Sequence, residues 1–164
     1  MRIESDGTLL PVRKSQQQAR HPMVSSTVQQ VPGYPMETLP NLSDPSERAR
    51  LSRSAIDGFF SIVQLWGLPV EIAAQLLGGV PRSTLYRLKS SAGTRTIDQL
   101  TRISYIIGIY KALHILLPKP LADTWMTRPN DHSLFGGRTP LEYVLQHGMP
   151  GLHQVRSLLD SSIV

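Results

Sequence analysis

Apolar positions recur at helical spacing along most of the chain, with steps of three and four residues and no sustained period-two alternation. Ala55, Phe59, Ile62, Val63 and Trp66 predict an amphipathic helix over about 45–66. It follows Asp44-Pro45-Ser46-Glu47, where an acidic N-cap precedes a proline suited to the first helical position. Gly67 closes that helix. Pro69 opens a shorter one carrying Ile72, Ala73, Leu76 and Leu77, which stops at Gly78-Gly79. Pro81 begins a third helix to about Ser90, with Leu85 and Leu88 as its inward pair.

The strongest pattern runs from Ile97 to Leu117, where Leu100, Ile103, Ile106, Tyr110, Leu113 and Leu117 alternate in three- and four-residue steps. Ile107, Ile109, Ile115 and Leu116 leave this helix little polar face, so neighbouring helices or a second subunit must cover it. Pro118 and Pro120 end it. A short helix around Leu121–Met126, a loop from Thr127 to Arg138, a helix from Thr139-Pro140 to about His147 and a last one over about 150–160 complete the reading. The fold class is all-α, a helical bundle. The divisions expected are an arm over 1–42, a helix-turn-helix body with the long helix over 43–118, and a small helical module over 119–164. The arm holds five of the 13 prolines and one aromatic residue, Tyr34, too little apolar surface to offset ordering entropy.

Within this frame, Ala74 to Leu88 matches a helix-turn-helix: a small residue where helices approach, glycines at the turn, and apolar residues pinning the second helix. The Gly78-Gly79 pair makes the turn one residue longer than the commonest spacing, which bears on the docking angle. Opposite Leu85 and Leu88, helical phase places Ser83, Tyr86, Arg87 and Ser90, flanked by Arg82 and Lys89. Arg82, Ser83, Thr84, Tyr86, Arg87 and Lys89 are therefore the candidate DNA-binding residues, with arginine suited to guanine edges and hydroxyls to phosphate. Charge changes the weight of that reading. The 164-residue chain carries 17 Lys and Arg against 12 Asp and Glu, a net charge of +5. Residues 80–119 hold seven of the basic residues (Arg82, Arg87, Lys89, Arg95, Arg102, Lys111, Lys119) and one acid, Asp98. A glycine-joined helix pair with a basic face is also an ordinary feature of α-bundles, so the motif alone leaves both readings open.

The chain has no cysteine, which excludes thiolate zinc sites, disulfides and a thiol nucleophile, and suits a reducing cytoplasm. The five histidines (His21, His114, His132, His147, His153) lack ligand spacing. No G-x-S-x-G elbow, Walker A sequence or strand-borne G-x-G-x-x-G is present. No catalysis, metal or cofactor is expected. Residues 1–20 contain no continuous apolar run of a secretory signal, and Ile103–Leu117, interrupted by Lys111, is too short to span a bilayer. A soluble, cytoplasmic protein is expected.

The C-terminal part adds a resemblance. Trp125, Met126, Arg128-Pro129-Asn130, the run Leu134-Phe135-Gly136-Gly137-Arg138-Thr139-Pro140-Leu141-Glu142 and Val155-Arg156-Ser157-Leu158-Leu159 resemble the toxin-binding domain of the Xre/MbcA/ParS antitoxins. Gly108 to Leu113 and the element from Leu77 to Arg87 are similar to the same family, so the likeness spans about 50–160. The Phe-Gly-Gly-Arg-Thr-Pro string is its most specific part. The resemblance implies a bacterial antitoxin with two activities. An Xre-like helix-turn-helix would bind its own operon as an autorepressor, and a C-terminal domain would bind a RES-domain toxin that degrades NAD, blocking access to its active site. A homodimer would match a palindromic operator.

Read from the residues, Gly136-Gly137 suit a turn, Thr139 and Pro140 suit a helix start, and Leu134 and Phe135 suit anchoring the loop. Arg138 suits either an internal brace or an interface. The candidate toxin-binding residues are Phe135, Gly136, Gly137 and Arg138, together with the tail Ser161, Ser162, Ile163 and Val164. The terminal carboxylate of that tail could enter the toxin's pocket as a mimic of an NAD phosphate; a frayed terminus is the plain alternative. Two other functions fit the same chain: a protein-binding inhibitor without DNA binding, and a DNA-binding regulator without a toxin partner.

Overall fold

The computed structural model describes residues 40–91 and 93–163; the arm expected over 1–42 lies outside them except for its last three residues. The described residues contain six α-helices, one 3-10 turn and no strand. They are α1 (Pro45–Leu65), α2 (Val70–Leu76), α3 (Arg82–Ser90), α4 (Ile97–Leu116), α5 (Lys119–Thr124) and α6 (Pro140–Ser161), with the 3-10 turn over Trp125–Thr127. No helix among them is long and apolar enough to cross a membrane.

Local chemistry sets the helix ends. The Asp44 carboxylate accepts from the Ser46 backbone N–H at 2.8 Å and caps α1. Glu47 turns instead to Arg50, at 2.9 Å. Complete capping boxes start two other long helices: Thr96 with Gln99 at α4, and Thr139 with Glu142 at α6. Pro45 and Pro140 occupy first-turn positions, where the missing N–H costs nothing.

α4 is the spine. It packs mainly against α1 on one side and α6 on the other, and Ile103, Ile106, Ile109 and Leu113 are at most 1% exposed. One continuous apolar core runs from Ile56 and Phe59 on α1, through Leu77, Leu85 and α4, to Val144, Leu152 and Val155 on α6. The helix is apolar nearly all round, and its most exposed large apolar residues are Ile97 and Ile115, near its two ends. At Gly108 the Arg156 side chain crosses α4 so closely that an added Cβ would lie 2.6 Å from its Nη1. There Arg156 is tied to Asp160 of its own helix at 2.7 Å.

α6 is two helices in line. Gly148 takes φ 60° and ψ −133°, outside the helical region, and divides Pro140–His147 from the turns that begin near Pro150. The break lets Gly151 sit against Val144, where a Cβ would meet the Val144 Cα at 3.2 Å and the His147 Cβ at 2.9 Å. A residue with a side chain is strained at Gly148, by about 1–3 kcal/mol. Gly148→Ala is accordingly expected to lower the unfolding free energy by about that amount in urea titrations, with an unchanged m-value.

The helix caps also fix an acid response. Backbone hydrogen bonds hold Asp44 and Glu142 below their ordinary values, through Ser46 and Thr139 respectively. Lys119, with His114 behind it, does the same for Asp123. A carboxylate depressed in the folded state adds stability above its unfolded pKa and loses it as pH falls through the folded value. The urea midpoint is therefore expected to be insensitive to these groups from neutral pH down to about 5 and to decline as pH drops below about 4.

Candidate functional site

α2 and α3 meet through a turn in which both glycines have positive φ, 93° at Gly78 and 78° at Gly79. The Gly79 and Val80 N–H groups both donate to the Ala74 carbonyl, so the extra residue is absorbed as a closed cap on α2. A side chain at Gly78 would also meet the Asp98–Arg102 ion pair of α4, at 3.2–3.3 Å.

α3 presents two faces. Leu85 and Leu88 are buried at 1% and 6% exposure, while Arg82, Ser83, Tyr86, Arg87, Lys89 and Ser90 are exposed and Thr84 is half-buried. The cations of the exposed face are held differently. Arg82 meets the Glu71 carboxylate of α2 at 3.0 Å. Lys89 lies over the Phe60 ring of α1, 5.4 Å from its centroid. Arg87 forms no ion pair among the described residues and projects into solvent. An aromatic hydroxyl, a serine and an unpaired guanidinium on one side of a short helix can grip phosphate and read base edges.

The concentration of basic residues over 80–119 does not translate into a surface of that strength. Arg95 is 6% exposed: its guanidinium turns inward and Nη2 donates to the carbonyls of Leu88 and Ser91, where α3 ends. Burial, with Arg53 nearby, pushes its pKa below the usual guanidinium range. Its backbone N–H donates at 2.8 Å to the hydroxyl of Ser52, a buried serine on α1. Arg102 is largely covered and paired with Asp98. Sequence proximity thus credited to the surface a charge that works inside. Arg95 satisfies orphan carbonyls at the C-terminus of α3, places a cation at the negative end of its dipole, and ties that end to α1. A buried serine facing a positional arginine leaves no periodic signal to find.

The second candidate region is the loop from Thr127 to Arg138 and α6. Phe135 is fully buried, edge-on to Trp125 at 5.7 Å and to Tyr143 at 5.6 Å between centroids. In this arrangement its ring anchors the loop and offers no surface to a partner. Gly136 and Gly137 are exposed in the turn, which the Gly137 N–H and the Asn130 carbonyl close at 3.1 Å. Arg138 braces the turn, Nε donating to the Phe135 carbonyl at 3.2 Å and Nη1 to the Gln146 side chain. Ser161 ends α6, Ser162 caps it and Ile163 follows, all three exposed; Ser161 and Ser162 hydroxyls donate back to the Leu158 carbonyl. Val164 lies outside the described residues. No group of three or more His, Asp or Glu side chains that could hold a metal occurs among the described residues.

Comparison with known proteins follows this division. A family model for the antitoxin Xre-like helix-turn-helix domain matches residues 44–108. A second, for the antitoxin Xre/MbcA/ParS C-terminal toxin-binding domain, matches residues 112–162. The chain is 36% identical over 120 residues to the uncharacterized protein y4oB of Sinorhizobium fredii, an alignment covering 73% of this chain and 92% of that protein. No solved structure matches.

The Arg95 tie is testable through the element it holds. Arg95→Met keeps most of the side-chain volume and leaves the Leu88 and Ser91 carbonyls unpaired, at a cost of about 1–3 kcal/mol. Amide hydrogen exchange is expected to speed up across 85–91 more than within α4.

Proposed function

The chain belongs to the Xre/MbcA/ParS antitoxins, and from that premise we propose that it neutralises a RES-domain toxin that degrades NAD and represses its own operon as a homodimer. An antitoxin with a DNA-binding helix-turn-helix and a toxin-binding domain is what the family establishes. The finer reading assigns residues 43–118 to DNA and residues 119–164 to the toxin.

The observation that carries the DNA half is the exposed side of α3, with Arg87 unpaired at its centre. Two such helices related by a two-fold axis would enter successive major grooves one DNA turn apart. On this reading Arg82, Ser83, Thr84 and Lys89 position the backbone, and Arg87 and Tyr86 face the bases.

For the toxin half, support comes from the resemblance of Phe135–Pro140 to those antitoxins and from the buried aromatic cluster that fixes that loop. Phe135 and the two glycines set the loop's shape, Arg138 stiffens it, and α6 carries Ser161 to Val164 toward the toxin. No residue here performs chemistry; inhibition is by occlusion.

Coexpression with the product of the neighbouring gene tests the toxin half: growth and cellular NAD are expected to be restored by this chain and to collapse without it. Deleting Ser161–Val164 is expected to abolish the rescue; full rescue by the truncated chain would remove the tail from the mechanism. In gel shifts on the DNA upstream of the gene, Arg87→Ala is expected to weaken binding about 10-fold or more while leaving the fold intact.

A further inference from the structure

Glu71 stands in the first turn of α2 and Arg82 in the first turn of α3, and the turn between them brings the carboxylate to 3.0 Å from the guanidinium. Both side chains are more than half exposed, 56% and 62%, so the pair adds little to stability. Tyr86, one helical turn further on, and Glu71 together hold the Arg82 guanidinium above its usual pKa. Glu71 complements the positive end of α2, but its pairing with the leading cation of α3 has no strong structural role.

Carboxylate and phosphate oxygens compete for the same guanidinium N–H groups. While Glu71 occupies Arg82, that cation is already neutralised and has few condensed counterions left to release from an arbitrary DNA backbone. We propose that Glu71 is an internal stand-in for a DNA phosphate, which holds Arg82 in the free protein and suppresses its contribution to sequence-independent binding. This rests on the DNA-binding reading of α3. On non-specific DNA the exchange of one anion for another gains little, and the contacts of Arg87 and Tyr86 decide where the protein stays. Only a phosphate fixed by those base contacts draws Arg82 away from Glu71. Glu71 is thus a specificity-determining residue that touches no base.

The test uses the full chain and a fluorescein-labelled duplex of random sequence, about 25 base pairs long, titrated by anisotropy between about 50 and 300 mM salt. Four proteins are compared: wild type, Glu71→Gln, Arg82→Gln and the double variant, with thermal melts to verify that each is folded. Glu71→Gln is expected to bind the random duplex about 3–10-fold more tightly than wild type at low salt, with a log–log salt slope steeper by about one. In the Arg82→Gln background the same change is expected to have no effect. Equal binding by wild type and Glu71→Gln overturns the proposal. So does a gain that persists undiminished without Arg82, since Glu71 would then act by plain repulsion. If none of the four binds DNA, the DNA half of the proposed function falls and this inference with it; a wild type that binds beside an unaltered Glu71→Gln removes this inference alone.

Discussion

Burial of α4 is the constraint on which every other element depends. Ile103, Ile106, Ile109 and Leu113 are withdrawn from water almost completely, each worth about 1.5–3 kcal/mol of transfer free energy. No single neighbour could cover a helix whose apolar surface runs nearly all the way round. α1 takes one side and α6 the other, and these are its two most extensive contacts. The family boundary, between residues 108 and 112, falls inside this helix, so the two modules share a backbone hydrogen-bond ladder and one continuous core.

How α3 is carried follows from that spine. Its inward residues Leu85 and Leu88 join the core, and its C-terminus is locked by Arg95, which also reaches Ser52 on α1. Pinned at both levels, the helix holds its polar side in a fixed orientation. The loop before α6 is built on the same plan, with a fully buried Phe135 beneath it and Arg138 across it. In each region a short, polar, outward element is stiffened by buried apolar side chains and by one arginine that donates to the backbone.

Much of this was legible in the sequence, because helices announce themselves through spacing and punctuation. Pro45, Pro81 and Pro140 stand at or beside helix starts, and the division of α6 at Gly148 agrees with separate helices ending near His147 and beginning near Pro150. In α1 the pattern of Ala55, Phe59, Ile62, Val63 and Trp66 found the core side but missed Ile56 and the buried Ser52. In α4 the step count chose Tyr110 where the structure buries Ile109 and Ala112, since periodicity carries little phase information in a helix without a polar side. Arg95 was illegible for a different reason. Charge summed along the chain does not distinguish a guanidinium facing solvent from one facing two carbonyls. The Glu71–Arg82 pair was hidden too, because ten residues, two of them positive-φ glycines, lie between its members in the chain.

The shared spine has a genetic consequence. If both proposed activities hold, lesions at Ile103, Ile106 or Leu113 remove support from both surfaces at once, so loss-of-function screens scored for operator silencing and for survival should recover the same core alleles. On the same proposal, alleles that separate the two phenotypes would lie on the outer faces of α3 and α6, and their clustering there would trace the two surfaces without any crystal of a complex.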